Sequence, residues 1–266
     1  MQFPMDFGVV SMIRRTILAV GAHPDDVELG AGGLLSDLAA RGYEIFVIVL
    51  TDEPESTAAA RRREEAISAF SMLGIGRDHL AFAGFADGFL QVSRDSVSKV
   101  RDITSEWFEV PDLVITHSMS DLHPDHRAAW QLTAASIRNT AILGFPISNS
   151  FLLTGFQAAV WYNVHKQEQI KLDALRNHAS QIELGRISPD RSFTFHRDLG
   201  RLVGQGPVEL FDLNIPYDSA RSEVFLKQLL WSGVCSGTEI FNFRAGDLLM
   251  DGARHAAPLT VSTFHK

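Results

Sequence analysis

Two short segments of the chain place histidine, proline and aspartate in the same order. The first, His-Pro-Asp-Asp, occupies residues 23–26, and the second, His-Pro-Asp-His, occupies residues 123–126. Adjacent carboxylates repel each other unless a cation or a hydrogen-bond network stabilises them. Two histidines and one carboxylate form a three-ligand site with open positions, which suits catalytic Zn²⁺ and also non-haem Fe²⁺. The residue types therefore indicate metal-dependent chemistry.

The side chains that remain beside such a metal have chemistry of their own. A spare carboxylate can act as the general base for a water molecule on the metal. A spare histidine can stabilise an oxyanion or protonate a departing amine. Each segment alone is also compatible with a turn that caps a helix, because aspartate is a favoured capping residue. Two such segments at matching positions favour the metal site.

The elements that must position these segments alternate between strand and helix. Residues 16–21 and 43–50 are strand-like apolar runs, and apolar residues recur at helical spacing from 34 to 42. The pattern continues with strands at 79–83 and 113–116 and helices at 57–73, 92–108 and 127–138. This alternation predicts an α/β fold with a mostly parallel sheet flanked by helices, a Rossmann-like three-layer sandwich. Ligands bind beyond the carboxyl ends of such strands, so both segments are expected at one rim.

The second half of the chain has a weaker pattern. Residues 158–162 are compatible with a strand, and residues 167–184 predict one helix. From residue 188 onward, Gly, Pro and short apolar runs mix without a firm period. Residues 212–266 are expected to form a tail that packs on the preceding domain.

Composition excludes several classes of function. The 266 residues carry 24 Lys and Arg against 32 Asp and Glu, a net charge of −8, so a broad basic face for nucleic acid is not expected. The one cysteine, Cys235, cannot form an intramolecular disulfide, which fits a reducing compartment. No apolar run has the length of a membrane span, and the N-terminal residues lack the order of a signal peptide. We therefore expect a cytoplasmic protein without a membrane span.

The two segments resemble the LmbE/PIG-L family of zinc-dependent de-N-acetylases. The similarity is strongest in Ala-His-Pro-Asp-Asp at 22–26 with Glu28, and in the segment at 123–126. It extends more weakly over about residues 16–211, through Thr51-Asp52, Arg62 to Ala66, Lys171, His178 to Gln181, and the segment around Glu209 to Phe211. The acidic Glu53-Pro54-Glu55 departs from the Gly-rich stretch that is usual there.

The resemblance implies a role for each matched residue. The implied metal ligands are His23, Asp26 and His126. Asp25 matches the general base, and His123 matches the residue that stabilises the oxyanion or protonates the amine. Asp125 matches the carboxylate that orients and charges His123, and Arg62 matches an arginine that contacts the substrate. His117 is either a partner of a metal ligand or a buried structural histidine.

The implied function is removal of an N-acetyl group from an N-acetylglucosamine-type amino sugar or its conjugate. Zn²⁺ is the implied cofactor, with Fe²⁺ as the alternative in the cell. One alternative function is a zinc amidase or esterase for another acyl group. The other is a non-enzymatic nucleotide-binding module, suggested by the glycines at 30, 32 and 33. Two carboxylates at the turn disfavour a pyrophosphate, so we interpret these glycines as a site of close helix packing.

The family resemblance also divides the chain. Residues 1–211 form the expected LmbE-like deacetylase domain. Residues 212–266 form a C-terminal extension on the same domain, either a lid or a subunit contact, which leaves a homo-oligomer open.

Overall fold

The computed structural model describes residues 15–52, 56–147, 156–202, 205–216 and 220–231. Cys235, the acidic residues 53–55 and the last part of the C-terminal extension therefore lie outside the described residues. Among those described, no helix is both long enough and apolar enough to cross a bilayer.

Seven strands form one sheet in the order β3-β2-β1-β4-β5-β7-β6. Their bounds are β1 (Thr16–Gly21), β2 (Glu44–Thr51), β3 (Leu80–Phe85), β4 (Leu113–His117), β5 (Ile142–Phe145), β6 (Val160–Asn163) and β7 (Val208–Asn214). Strands β1 to β5 are parallel, and β7 runs antiparallel to both β5 and β6. The prediction of a mostly parallel sheet is confirmed.

Helices connect and cover these strands. Their bounds are α1 (Asp26–Ala40), α2 (Thr57–Met72), α3 (Arg94–Ser105), α4 (Pro124–Ser136), α5 (Glu168–Arg176), α6 (Ala179–Glu183), α7 (Pro189–Leu202) and α8 (Ala220–Trp231). The alternation of side chains along β1 divides the core in two. Ile17 and Ala19 pack with residues of α1, α2 and α8, whereas Leu18 and Val20 pack with residues of α3 and α4. The sheet is thus the middle of three layers.

The register of β1 and β4 brings their carboxyl ends to one rim. Ala19 lies opposite Ile115, so the turns that follow Gly21 and His117 leave the sheet side by side. The N-termini of α1 and α4 begin in these turns. Both His-Pro-Asp segments therefore lie at one edge of the sheet, as predicted.

Two glycines of α1 allow close packing, as interpreted from the sequence. A Cβ at Gly30 would lie 2.1 Å from the ring of Phe145, and one at Gly33 would lie 2.5 Å from Val164. Any larger residue there would push α1 away from the sheet.

The fold differs from expectation in the second half of the chain. The single helix predicted over 167–184 is wrong: α5 ends at Arg176 and α6 begins at Ala179. The chain turns there because His178 enters the interior, where its side chain is fully buried. The irregular region contains α7 and β7, and β7 runs across the predicted domain boundary after residue 211. That boundary and the role of the extension stay predictions.

Candidate metal centre

The turn after β1 holds Asp25 in an unusual backbone conformation. Its φ is 149°, a region that residues with a side chain rarely adopt. Such strain costs on the order of 1–3 kcal/mol and persists where the surroundings enforce it. Asp26 begins α1, and its Oδ2 accepts a 2.7 Å hydrogen bond from the backbone N–H of His23. The turn therefore gives the adjacent carboxylates different surroundings.

Three groups converge in the way required of metal ligands. Ligand atoms of His23, Asp26 and His126 all lie within 4.8 Å of one another. Asp26 Oδ2 is 3.2 Å from His23 Nδ1, and Asp26 Oδ1 is 3.5 Å from His126 Nε2. The side chains are at most 11% exposed. The fold thus joins two segments that are 100 residues apart in the chain.

The charges of this cluster favour a bound cation. Burial alone would raise the pKa of Asp26, but the imidazoles of His126, His117 and His23 hold it well below its usual range. Burial opposes a positive charge on the two histidines, yet Asp26 outweighs it and raises the pKa of His23 to about 11 and of His126 to about 9. The negative charge of Asp26 thus attracts positive charge to both imidazoles, and two imidazoles with one carboxylate are suitable ligands for Zn²⁺ or Fe²⁺.

Two further residues contact the ligand set. His117, fully buried, lies with Nε2 3.1 Å from Asp26 Oδ2, and its ring stacks on His126 at 4.0 Å between centroids. Asp121 Oδ2 lies 3.1 Å from Nδ1 of His126. Such outer contacts orient metal-bound histidines. Nε2 of His117 also accepts a 3.0 Å hydrogen bond from the backbone N–H of Ala22, so this histidine contacts both the turn after β1 and the candidate ligands. Asp121 received no role from the sequence, although it lies two residues before His123.

The surroundings of Asp25 shift its pKa toward neutral pH. Its carboxylate is buried, and Oδ2 lies 3.8 Å from a terminal nitrogen of Arg62. Burial raises the pKa of Asp25 to about 7, and the charge of Asp26 acts in the same direction. A carboxylate with such a pKa can take up a proton near neutral pH and release it again.

His123 is held differently from expectation. Its Nδ1 accepts a 3.2 Å hydrogen bond from the backbone N–H of Asp125, so the ring proton resides on Nε2. Burial, together with the charges of His126 and His23, lowers the pKa of His123. The structure therefore presents a neutral imidazole with an N–H donor, and Asp125 orients it through the main chain.

The carboxylate of Asp125 accepts hydrogen bonds from the loop that follows β3. Its Oδ2 accepts a 2.6 Å hydrogen bond from the Gly88 N–H, and its Oδ1 accepts one of 3.1 Å from the Leu90 N–H. Oδ2 also lies 3.3 Å from His23 Nε2. Asp125 thus ties the loop after β3 to a candidate metal ligand.

Arg62 faces the site, whereas the arginines on either side of it are engaged elsewhere. Arg61 pairs through both terminal nitrogens with Glu183 at 2.8 and 2.9 Å. Arg63 donates from Nε to the buried Asp52 at 2.7 Å. Arg62 is thus the one of the three arginines that lies near Asp25, and its contact with a substrate stays a prediction.

Asp87 was not indicated by any pattern in the sequence. Its Oδ1 lies 3.1 Å from His23 Nε2, and its Oδ2 lies 3.3 Å from Arg62. The hydrogen bond with His23 lowers the pKa of Asp87 to about 2. This carboxylate remains about half exposed and borders the opening of the site.

A buried ion pair lies behind Asp25. Nε2 of His178 is 2.9 Å from Oε1 of Glu28, and both side chains are fully buried. Burial favours the neutral form of His178, but the carboxylate of Glu28 favours the protonated form, and the net effect is a raised pKa of His178. The positive charge of His178 in turn limits the rise in the pKa of Asp25.

A second buried network fixes the middle of α1. Lys171 Nζ donates to the Leu29 carbonyl at 2.8 Å, interacts with Nε2 of His196 at 2.9 Å, and pairs with Oε1 of Glu209. Glu209 accepts hydrogen bonds of 2.7 and 2.8 Å from the backbone N–H groups of residues 33 and 34. The helix that begins with Asp26 is therefore attached to α5, α7 and β7.

Comparison with known proteins agrees with this fold. The family profile described as "PIG-L: GlcNAc-PI de-N-acetylase" matches residues 18–137. An Escherichia coli (strain K12) protein named "Uncharacterized deacetylase YaiS" is 35% identical over 176 residues, which cover 63% of this chain and 92% of that relative. The chain belongs to the PIG-L (LmbE-like) family.

Two further proteins extend the comparison. Diacetylchitobiose deacetylase of Thermococcus kodakarensis is 29% identical over 195 residues, covering 63% of this chain and 70% of that protein. The crystal structure of the conserved protein TT1542 from Thermus thermophilus has a TM-score of 0.65 and 24% identity, covering 75% of this chain and 94% of the other. The latter similarity concerns the fold.

Proposed function

We propose that this chain is a zinc-dependent hydrolase that removes the N-acetyl group from an N-acetylglucosamine-type amino sugar or its conjugate. The observation that carries the proposal is the convergence of His23, Asp26 and His126 within 4.8 Å of one another. Asp25 and His123 lie beside this cluster. A relative named for deacetylation of diacetylchitobiose supports the substrate class.

In this proposal His23, Asp26 and His126 hold the metal. When bound, Zn²⁺ polarises the acyl carbonyl and lowers the pKa of a water molecule toward about 7. Fe²⁺ accepts the same ligand types, so it is the alternative metal in the cell.

The protein supplies the proton transfers. Asp25 accepts a proton from the attacking water, which forms the new C–O bond, and later delivers a proton to the nitrogen as the C–N bond breaks. Acetate and a free amine are the products. His123 donates a hydrogen bond from Nε2 to the oxygen that becomes negatively charged. The neutral state of His123 suits this role, because the donor remains protonated throughout.

Arg62 and Asp87 border the opening and provide charged groups for the sugar. The side chain of Arg62 is 16% exposed, and its Nε is buried without a hydrogen-bond partner among the described residues. We propose that Arg62 binds hydroxyl groups of the amino sugar. We also propose a cytoplasmic location, on the basis of the single cysteine.

The test combines elemental analysis with release of free amine. Purified protein is assayed on N-acetylglucosamine and diacetylchitobiose, with and without a chelator, and on N-butyryl analogues to separate acyl groups. Asp25→Asn should retain about one zinc per chain and lose turnover about 10²–10⁴-fold, the usual contribution of a general base. His126→Ala should lose both. Metal-free protein that stays inactive after zinc is restored would refute the proposal.

A further inference from the structure

Several exposed apolar side chains lie in two loops that also carry residues of the candidate site. Seven large apolar side chains of the described residues are exposed: Met72, Phe89, Val92, Met119, Leu122, Leu184 and Val224. Four of these lie in the two loops that follow β3 and β4, which also carry Asp87 and His123. We call these four, Phe89, Val92, Met119 and Leu122, the apolar rim. Such concentration is typical of a binding surface.

The most exposed member of the rim is held in place. Phe89 is 77% exposed. The residues on either side of it, Gly88 and Leu90, donate their N–H groups to the carboxylate of Asp125 at 2.6 and 3.1 Å. That carboxylate lies 3.3 Å from Nε2 of His23, a candidate metal ligand. The backbone of Phe89 is therefore held between two residues that are hydrogen-bonded to Asp125, next to the candidate metal centre.

The opposite loop is fixed in a similar way. Leu122 is 51% exposed, and Arg127 donates to its carbonyl at 2.6 Å. The next residue, His123, donates its N–H to Oδ1 of Asp121 at 2.9 Å. Apolar side chains on a prearranged backbone lose little further entropy when a ligand covers them.

The position of the rim indicates which part of a substrate it contacts. The rim lies beside His123 and Asp125, outside the buried metal ligands. The acyl group must reach the metal centre, so the outer position belongs to the sugar and whatever it carries. Asp87 and Arg62 can bind sugar hydroxyls, but the side chains of Phe89 and Leu122 offer no hydrogen bond.

We propose that the apolar rim binds an alkyl or aryl group attached to the amino sugar, with Phe89 as its main contact. This inference rests on the proposed deacetylation. The natural substrate is then an amino-sugar glycoside with an apolar aglycone rather than a free sugar or a chitin fragment.

The test compares two glycosides of N-acetylglucosamine, methyl and hexyl, with the zinc-loaded enzyme. We expect kcat/KM to be about tenfold higher for the hexyl glycoside, mainly through KM, as burial of roughly 60 Å² of apolar surface predicts. Phe89→Ser should remove most of this preference and leave kcat/KM for the methyl glycoside within about twofold. Leu184→Ser, a control at a side chain that is 64% exposed outside the rim, should keep the preference.

Three outcomes would overturn the inference. Equal kcat/KM for the two glycosides would show that the rim does not contact an aglycone. An equal loss for both glycosides in Phe89→Ser would assign Phe89 to the sugar ring itself. The third outcome is that the wild type shows no preference for the hexyl glycoside while light scattering shows a dimer that Phe89→Ser disrupts. That result would assign the rim to a contact between copies of the chain. Failure of both glycosides to react would instead refute the proposed function, and the inference with it.

Discussion

Replacement of the buried Lys171 by methionine should destabilise the protein strongly. Methionine keeps most of the apolar stem of the side chain but removes the ammonium group, which contacts Leu29, His196 and Glu209. The carboxylate of Glu209 is fully buried, so the variant leaves a buried charge with only backbone N–H partners. Removal of one member of a buried pair costs about 3–5 kcal/mol. For a chain of this size, that predicts a decrease in Tm of about 6–20 °C.

Urea denaturation and thermal unfolding of the zinc-loaded protein would measure this effect. Lys166→Met is the matched control, because this lysine is exposed in the turn before α5 and should change stability by less than about 0.5 kcal/mol. The double variant Lys171→Met with Glu209→Gln should lose less than the sum of the two single variants, by about 1–3 kcal/mol. A cost below about 1 kcal/mol for Lys171→Met, or strictly additive costs, would refute the role assigned to this network.

Three more predictions concern the metal, the substrate and pH. Asp121→Asn should weaken zinc binding about 10–100-fold, measured by competition with a chromophoric chelator, because its carboxylate faces Nδ1 of His126; unchanged affinity would contradict this. Arg62→Ala should lower kcat/KM at least about tenfold. The control Arg61→Ala removes only an exposed ion pair and should leave kcat/KM within about twofold. Equal losses in the two variants would show that Arg62 has no special role in substrate binding. Burial raises the pKa of Asp212 to about 6, so the folded protein binds a proton at this carboxyl more tightly than the unfolded chain does. The free energy of unfolding should therefore decrease as pH rises from about 4 through 6. Asparagine does not ionise, so the stability of Asp212→Asn minus that of the wild type should increase by up to about 3 kcal/mol between pH 4 and pH 8, measured by urea denaturation. A difference that does not change with pH would contradict this prediction.

The first half of the fold was predictable because its signals are local. Strands β1, β2 and β4 are short apolar runs that end at polar or glycine residues, and the helices between them have regular apolar spacing. A His/Asp metal site was predictable from the residue types of the two segments and from their position after parallel strands, whereas the choice of His23, Asp26 and His126 as ligands came from the family resemblance. No knowledge of the remainder of the chain was needed for either inference.

The second half depends on partners that are distant in the sequence. Glu209 interrupts an apolar run in β7, and only its pairing with Lys171 explains a buried carboxylate at that position. The break between α5 and α6 follows from the pairing of His178 with Glu28, which are 150 residues apart. A pattern within a short window carries no information about such contacts.

The loop that contains Asp87 shows the same limit within the candidate site. Its position depends on hydrogen bonds from Gly88 and Leu90 to Asp125, 37 and 35 residues further along the chain. The family resemblance implied that Asp125 orients His123, and the structure adds hydrogen bonds from this loop to the same carboxylate. Local chemistry thus indicated which residues matter but not which of their atoms interact.

The attachment of α1 to β7 has a consequence for the order of events during synthesis. The N–H groups of Gly33 and Leu34 meet the carboxylate of a residue that follows them by about 176 positions. The ribosome must therefore release residue 209 before the helix that begins at Asp26 acquires its final contacts. Until then, the candidate metal ligands of the nascent chain lack part of the structure that holds α1 in place. We expect early zinc capture to be weak and final metal loading to follow completion of the sheet.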